Sequence, residues 1–248
     1  MLRVDALVLS YGGTPVLEGA SLAVPAGKFV SLVGPSGSGK SSLLRAVIGL
    51  QTPSSGTVSA EVPADEIGIL FQDDALLPWR TAEENVALGL RLKGVDSGTA
   101  LAAARQWITR LGLYGLSERF PRQLSGGQRK RVALAQVLAR EPKLLLMDEP
   151  FASLDAIVRA RVTGDLVRLV ERGGISVLLV THDLEEAIAL SDTVYLLSQG
   201  PRAQIAGSYE VTLPRPRDPM TARAHPDFAP LFARLWHDLS REVGGRAA

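Results

Sequence analysis

The chain has 248 residues, 46% of them hydrophobic, no cysteine, and a formal net charge of +1 from 27 basic and 26 acidic residues. That length suits one large α/β unit or a core with an inserted lobe, and the mixed composition excludes disordered, collagen-like and coiled-coil classes. The balanced charge argues against sequence-independent nucleic-acid binding, the lack of cysteine removes disulfides, thiolate catalysis and cysteine-ligated metals, and no segment approaches the about 20 apolar residues of a membrane span.

The opening Met1–Gly13 shows no charged segment followed by an apolar one, so no secretory signal is expected. Residues 2–9 alternate as a strand does, and Phe29–Val33 is a β-rich pentapeptide. A Gly/Ser turn follows, then a helical pattern over Lys40–Ile48 closed by Gly49. Thr52–Gly56 is a turn cluster, followed by strand patterns at Thr57–Val62 and Ile67–Phe71. At Thr81 the texture changes: Thr81 and Glu84 have the spacing of a capping box, and alanine-rich helical stretches run through about 98–111 and 126–139. Residues 81–140 are therefore expected to form a mostly helical insertion. Strand and helix alternation resumes with Lys143–Met147, a long helix over about Leu154–Arg172 closed by Gly173-Gly174, and a strand at Ser176–Thr181. Asp183 is placed to cap another helix, and strands are expected at Thr193–Leu197 and Gln204–Val211. Pro214–Pro219 has the composition of a stiff linker. Beyond it Phe228, Leu231, Phe232, Leu235, Trp236 and Leu239 recur at helical spacing, the apolar face of a C-terminal helix that packs on its own domain or receives a partner. The chain thus divides into 1–212, with the helical insertion inside it, and 213–248, a linker and amphipathic helix.

Gly34-Pro35-Ser36-Gly37-Ser38-Gly39-Lys40-Ser41 fits the phosphate-binding loop pattern G-x-x-x-x-G-K-[ST] and sits between a strand and a helix, as the mechanism demands. Glycines let backbone N–H groups curl around a β-phosphate, and the helix N-terminus adds its positive end. Lys40 is then placed to reach the β/γ-phosphates and Ser41 to ligate Mg²⁺. Only five of the 27 basic residues are lysines, which makes a lysine inside this motif stand out. Leu144–Met147 is a buried-strand run that delivers Asp148 and Glu149 at its C-terminal edge. Asp148 suits the Mg²⁺ shell and Glu149, aimed differently, the general base for an attacking water; taken alone, the two acids would equally serve as helix caps. Ser125-Gly126-Gly127-Gln128 opens a helix carrying Arg129, Lys130 and Arg131, and its serine cap and two glycines mark a second anion site at a positive dipole end.

Together these residues resemble the nucleotide-binding subunit of an ATP-binding cassette (ABC) transporter, over about residues 2–212. Gly34–Ser41 stands as Walker A, Gln72 as the Q-loop glutamine, Leu124–Gln128 as the signature, Leu145–Glu149 as Walker B, Ser153–Asp155 as the D-loop and His182 as the switch histidine, in family order. The resemblance implies a P-loop NTPase core with a mixed sheet flanked by helices, an N-terminal antiparallel β subdomain and an inserted α-helical subdomain bearing the signature. It implies ATP and Mg²⁺ as ligands, with Ser42 joining Walker A and Tyr11 stacking on adenine; a half-buried strand-end tyrosine is the other reading of Tyr11. Gln72 would touch Mg²⁺ and the attacking water, and His182 the γ-phosphate. Two copies would close head to tail over two nucleotides, so that Ser125, Gly126, Gly127, Gln128 and Asp155 act on the ATP held by the other copy. His225 and His237 match no motif of the family.

Leu76-Leu77-Pro78-Trp79 after Gln72, then Glu84-Asn85-Val86, resembles the importer branch for nitrate, aliphatic sulfonates and taurine, as do Glu149–Phe151 and the Leu213–Asp218 run. The expected partners are transmembrane permease subunits and a periplasmic or extracellular solute-binding protein, with the chain peripheral on the cytoplasmic face of the cell membrane. Trp79 and Arg80 are candidates for the groove that receives the permease; a tryptophan anchoring its own loop is the alternative. The Arg129-Lys130-Arg131 run departs from many relatives and is expected to matter little for phosphate binding. An exporter ATPase is the first rival. A soluble cassette acting on nucleic acid is the second, disfavoured because the chain contains no long coiled-coil insertion and a single cassette.

Overall fold

The computed structural model describes residues 1–152 and 154–244. Among these residues nine strands and seven α-helices form a β subdomain, a six-stranded core and a helical subdomain. Strands β1 (Leu2–Tyr11), β2 (Thr14–Val24) and β4 (Ser55–Ala60) pair antiparallel in the order β2-β1-β4. The core sheet has the order β5-β6-β7-β3-β8-β9, comprising Ile67–Leu70, Leu144–Asp148, Ser176–Val180, Phe29–Val33, Thr193–Leu197 and Ile205–Glu210. Its first five strands run parallel and β9 pairs antiparallel to β8, giving the mixed sheet that the resemblance implied.

The central strands are continuous apolar runs because both of their faces are covered. Successive side chains of β6 alternate between two cores: Leu144 and Leu146 meet helix α1 (Lys40–Val47) and the β subdomain, whereas Leu145 and Met147 meet the helices of the opposite layer. That opposite layer consists of α2 (Ala82–Leu92), α3 (Ser97–Arg110), α4 (Gly126–Leu138) and α5 (Ala156–Gly173). The expected capping box opens α2: Glu84 N–H donates to Thr81 Oγ1 at 3.3 Å, and Thr81 N–H donates to Glu84 Oε2 at 2.8 Å. Helix α6 (Leu184–Leu190) starts at its expected cap, with Glu186 N–H donating to Asp183 Oδ1 at 3.0 Å.

Two features depart from the sequence expectation, and a third decides between the two alternatives the sequence left open. β2 has no counterpart among the expected strands, because Gly19 turns at φ +76° and repeated register shifts against β1 break its alternation. The segment at 213–218 is tied down rather than free-standing: Arg215 Nη2 and Arg217 Nη2 pair with Asp192 at 2.5 and 2.9 Å. Helix α7 (Phe228–Gly244) buries Phe228 and Leu235 against α6, β8 and β9, so its apolar face packs on its own domain, while Trp236 stays 57% exposed.

Candidate functional site

Strand register assembles the site. Leu32, Val180 and Asp148 lie side by side across β3, β7 and β6, so the next residues in each strand project from one sheet edge. Such an edge, at the carboxyl ends of parallel strands, is where doubly wound sheets bind ligands.

From β3 the chain enters the Gly34–Ser41 loop and then α1. Gly34 and Gly39 are sterically required: a Cβ at Gly34 would lie 2.7 Å from the Leu197 carbonyl oxygen, and one at Gly39, where φ is +96°, 2.7 Å from Val16 Cγ1. Helices α2 to α6 each receive a side-chain cap, from Thr81, Asp96, Ser125, Asp155 and Asp183. α1 begins at Gly39 with none. Its first N–H groups therefore lack side-chain partners, and the buried Ser38 hydroxyl beside them has no hydrogen-bond partner among the described residues. Donors without acceptors at a positive helix end, inside a loop too tight for a Cβ, form a cradle for phosphate oxygens. Lys40 Nζ donates to the carbonyls of Gly34 and Pro35, both at 2.8 Å, which holds the ammonium at the mouth of that cradle. Burial lowers the Lys40 pKa, and the charges of Glu149 and Asp148 oppose that shift.

Ser41 Oγ donates to Asp148 Oδ1 at 3.0 Å. Burial raises the Asp148 pKa, its hydrogen bond from Ser41 opposes the rise, and repulsion from Glu149 adds to it. No cluster of three or more histidine or acidic side chains able to hold a metal exists among the described residues. Ser41 and Asp148 instead supply the one or two hard oxygen ligands with which Mg²⁺ commonly binds beside substrate phosphates, so the residues fit that ion.

Glu149 leaves the strand geometry at once. Its N–H still reaches the Val180 carbonyl at 2.8 Å, but φ turns to +43°, a strained value for a non-glycine residue. Past the turn its carboxylate faces His182, whose Nδ1 lies 3.2 Å from Glu149 Oε2. Adjacent carboxylates thus face different partners. Around this pair lies a small cleft lined by Phe151, Arg159, Asp183 and Glu186 as well. Glu186 is pushed up to about 7 by burial and by Asp183, against the pull of Thr181, Arg159 and His182.

The remaining expected residues divide. Tyr11 is 42% exposed, and its hydroxyl donates to Ser42 Oγ at 3.2 Å, which fixes the ring beside the phosphate loop. Gln72 follows β5 at the same sheet edge, since Leu70 pairs with Met147. Its side chain is exposed and makes no hydrogen bond among the described residues, so the structure does not bring it onto Ser41 or Asp148. Ser125 caps α4 reciprocally with Gln128: Gln128 N–H donates to Ser125 Oγ at 3.3 Å, and Ser125 N–H to Gln128 Oε1 at 2.8 Å. No hydrogen bond or ion pair joins residues 125–128 to the phosphate loop among the described residues. Asp155 caps α5 through Val158 N–H at 3.0 Å, and Ser153 lies outside the described residues.

Four residues near these loops have roles that the sequence did not show. Lys130 is 1% exposed and bonds the chain at Phe71–Asp74; lysine scarcity was its only signal. Buried Asn85 accepts from Leu77 N–H at 2.7 Å and donates to the carbonyls of Leu77, Arg80 and Thr81, pinning the loop that leaves Trp79 69% exposed. Arg159 links Leu154 O to Asp183, and Glu186 completes the cleft.

A family model described as ABC transporter matches residues 17–152. The chain is 43% identical over 242 residues to the aliphatic sulfonates import ATP-binding protein SsuB 1 of Paracoccus denitrificans (strain Pd 1222), covering 98% of this chain and 95% of that one. It is 42% identical over 206 residues to the taurine import ATP-binding protein TauB of Escherichia coli (strain K12), covering 81% of each. The bicarbonate transport ATP-binding protein CmpC of Synechocystis sp. (strain ATCC 27184 / PCC 6803 / Kazusa) is 39% identical over 242 residues, which are 94% of this chain and 36% of that protein. Among solved structures, the ATP-binding cassette MJ0796 in a dimeric post-hydrolysis state bound to ADP and Pi superposes with a TM-score of 0.76 at 30% identity, over 86% of this chain and 100% of that one. With the family model matching more than half of its length and relatives 43% and 42% identical to it over most of that length, the chain belongs to the ABC transporter family.

Proposed function

We propose that the chain is the ATP-hydrolysing subunit of a membrane importer for a small solute of the nitrate, sulfonate or taurine type. Two copies close head to tail, each ATP lying between the phosphate loop of one copy and the Ser125–Gln128 helix end of the other. The feature that supports this reading is that the uncapped start of α1 and the Ser125-capped start of α4 lie in one chain, with no hydrogen bond or ion pair between residues 125–128 and the phosphate loop among the described residues. A second copy turned end to end completes both at once.

In the closed dimer Lys40 exchanges the Gly34 and Pro35 carbonyls for β/γ-phosphate oxygens. Ser41 and Asp148 would hold Mg²⁺, which would supply charge neutralisation of the phosphates. Glu149 accepts the proton of the attacking water, and His182 orients the Glu149 carboxylate from one side while facing the γ-phosphate from the other. Tyr11 flanks the base. Gln72, at the same edge, reports on the γ-phosphate to the loop that carries Trp79 and Arg80, which docks a permease helix. In this reading the pore belongs to permease subunits and the chain sits peripherally on the cytoplasmic face; no helix among the described residues is long and apolar enough to cross a membrane. A solute-binding protein outside the membrane delivers the cargo.

Uptake by the host cell tests the reading. Removing the chain abolishes ATP-dependent accumulation of one among labelled nitrate, alkanesulfonates, taurine and bicarbonate, and the native chain but not its Lys40→Ala variant restores it. Unchanged uptake of all four, with loss of an efflux activity instead, would replace the importer by an exporter.

A further inference from the structure

Lys130 is among the largest fully buried side chains of the described residues, and its ammonium lies against the Phe71–Asp74 stretch. An ammonium has three donors, and here all three are used: on the Phe71 carbonyl at 3.3 Å, the Gln72 carbonyl at 2.9 Å and Asp74 Oδ1 at 3.0 Å. The preceding residue closes the other side of the same carboxylate, with Arg129 Nε 3.3 Å from Asp74 Oδ2 and Arg129 Nη1 donating to the Leu124 carbonyl at 2.8 Å. Just past Asp74 the chain turns sharply, with Ala75 at φ +52°, and runs to the stretch that Asn85 pins. The loop from Phe71 to Thr81 is therefore fastened at both ends, by Lys130 on the first turns of α4 and by Asn85 on α2. Between these anchors it exposes Trp79.

We propose that Lys130 is a positioning residue that clamps the Gln72 loop to the N-terminal end of α4, so that the Ser125–Gln128 anion-binding end moves with that loop as one body. A flexible or solvated link would let the loop shift without α4. A buried ammonium that bonds two backbone carbonyls and a carboxylate does not, because parting them leaves a charged group out of water without its partners. Displacement at the partner-facing Trp79 stretch thereby changes where α4 presents its helix end to the second nucleotide. The inference rests on the head-to-tail reading, in which that helix end serves the ATP of the other copy.

The test uses the full chain carrying Glu149→Gln, with ATP-driven dimerisation followed by sedimentation and nucleotide binding to dilute monomer followed with a fluorescent ATP analogue. Adding Lys130→Met leaves monomer nucleotide affinity within about twofold and weakens dimerisation by about tenfold, a coupling of ordinary size between sites. Lys130→Arg recovers most of that loss. Asp74→Asn weakens dimerisation in the same direction and adds little on top of Lys130→Met, as expected of residues in one network. With Glu149 restored, the Lys130→Met kcat falls at low protein concentration and recovers as the concentration rises, with KM for ATP little changed; a merely structural role does not produce that pattern. A folded Lys130→Met chain that dimerises as its parent does overturns the clamp. If Lys130→Met fails to fold by circular dichroism, Asp74→Asn decides the same question. Failure of the parent itself to dimerise with ATP overturns the head-to-tail reading instead.

Discussion

Glu149→Gln removes one charge and leaves nearly everything else. The amide has the shape of the carboxylate, so the turn at φ +43° and the N–H bond to Val180 persist. A carbonyl oxygen still faces His182 Nδ1 across 3.2 Å. What disappears is a proton acceptor, together with the repulsion that helps to raise the Asp148 pKa. The loss of a general base is worth about 10²–10⁴-fold in rate, or about 2.7–5.5 kcal/mol of barrier. ATP binding moves the other way, because a negative charge near the γ-phosphate is gone. The expected result is hydrolysis at least about 100-fold slower in single-turnover assays, with ATP affinity equal or tighter and a trapped nucleotide-bound dimer in sedimentation. Near-normal single-turnover hydrolysis by a folded Glu149→Gln chain would refute the assignment of the base, and with it the inference that the left-handed turn separates the roles of the two carboxylates.

Three further perturbations follow from the same geometry. Glu186 has a folded-state pKa of about 7 against an ordinary 4.5, so it binds more protons in the folded chain and its contribution to stability, full below pH about 4.5, is lost as the pH rises through about 7. Glu186→Gln flattens that fall and stabilises the chain at pH 8 by about 1–3 kcal/mol, the lower figure because the side chain keeps part of its surface in water; denaturant midpoints that keep the native slope with pH would contradict it. Asn85→Ala strands the Leu77 N–H and weakens the bonding of three carbonyls, at a cost of about 2–3 kcal/mol in urea unfolding, and an unchanged midpoint would show that water replaces the pin. At Gly127 an added Cβ would stand 2.4 Å from Val158 Cγ1, so Gly127→Ala should cost about 1–3 kcal/mol. Adding Val158→Ala should return most of that cost; equal loss in the single and double variants would mean that the overlap is not the cause.

Much of this fold is legible because its information is local. Leu144–Met147 and Phe29–Val33 read as strands because parallel strands covered on both faces have no polar positions to mask them. The caps at Thr81, Ser125 and Asp183 read correctly because each partner lies three residues away. β2 did not read, since its pattern is broken by Gly19 and set by pairing with β1 rather than by its own sequence. In the site, the phosphate loop and the acidic pair were visible in short runs, whereas their relations were not. Ser41 meets Asp148 and His182 meets Glu149 only because β3, β6 and β7 lie side by side, which no local pattern states. Lys130 was the least legible of all: a lysine on a helix ordinarily faces water, and only the three-dimensional closeness of the Phe71–Asp74 carbonyls and carboxylate makes its burial tolerable.

The central claim is that this ATPase drives a membrane importer, and recovery of the tagged chain from gently solubilised membranes of its host tests that claim directly. The account predicts that a multi-span permease co-purifies in stoichiometric amount with two copies of the chain, and that adding the solute-loaded binding protein raises the ATPase rate of the reconstituted complex. A chain absent from the membrane fraction and recovered only with ribosomal or DNA-bound proteins would contradict it.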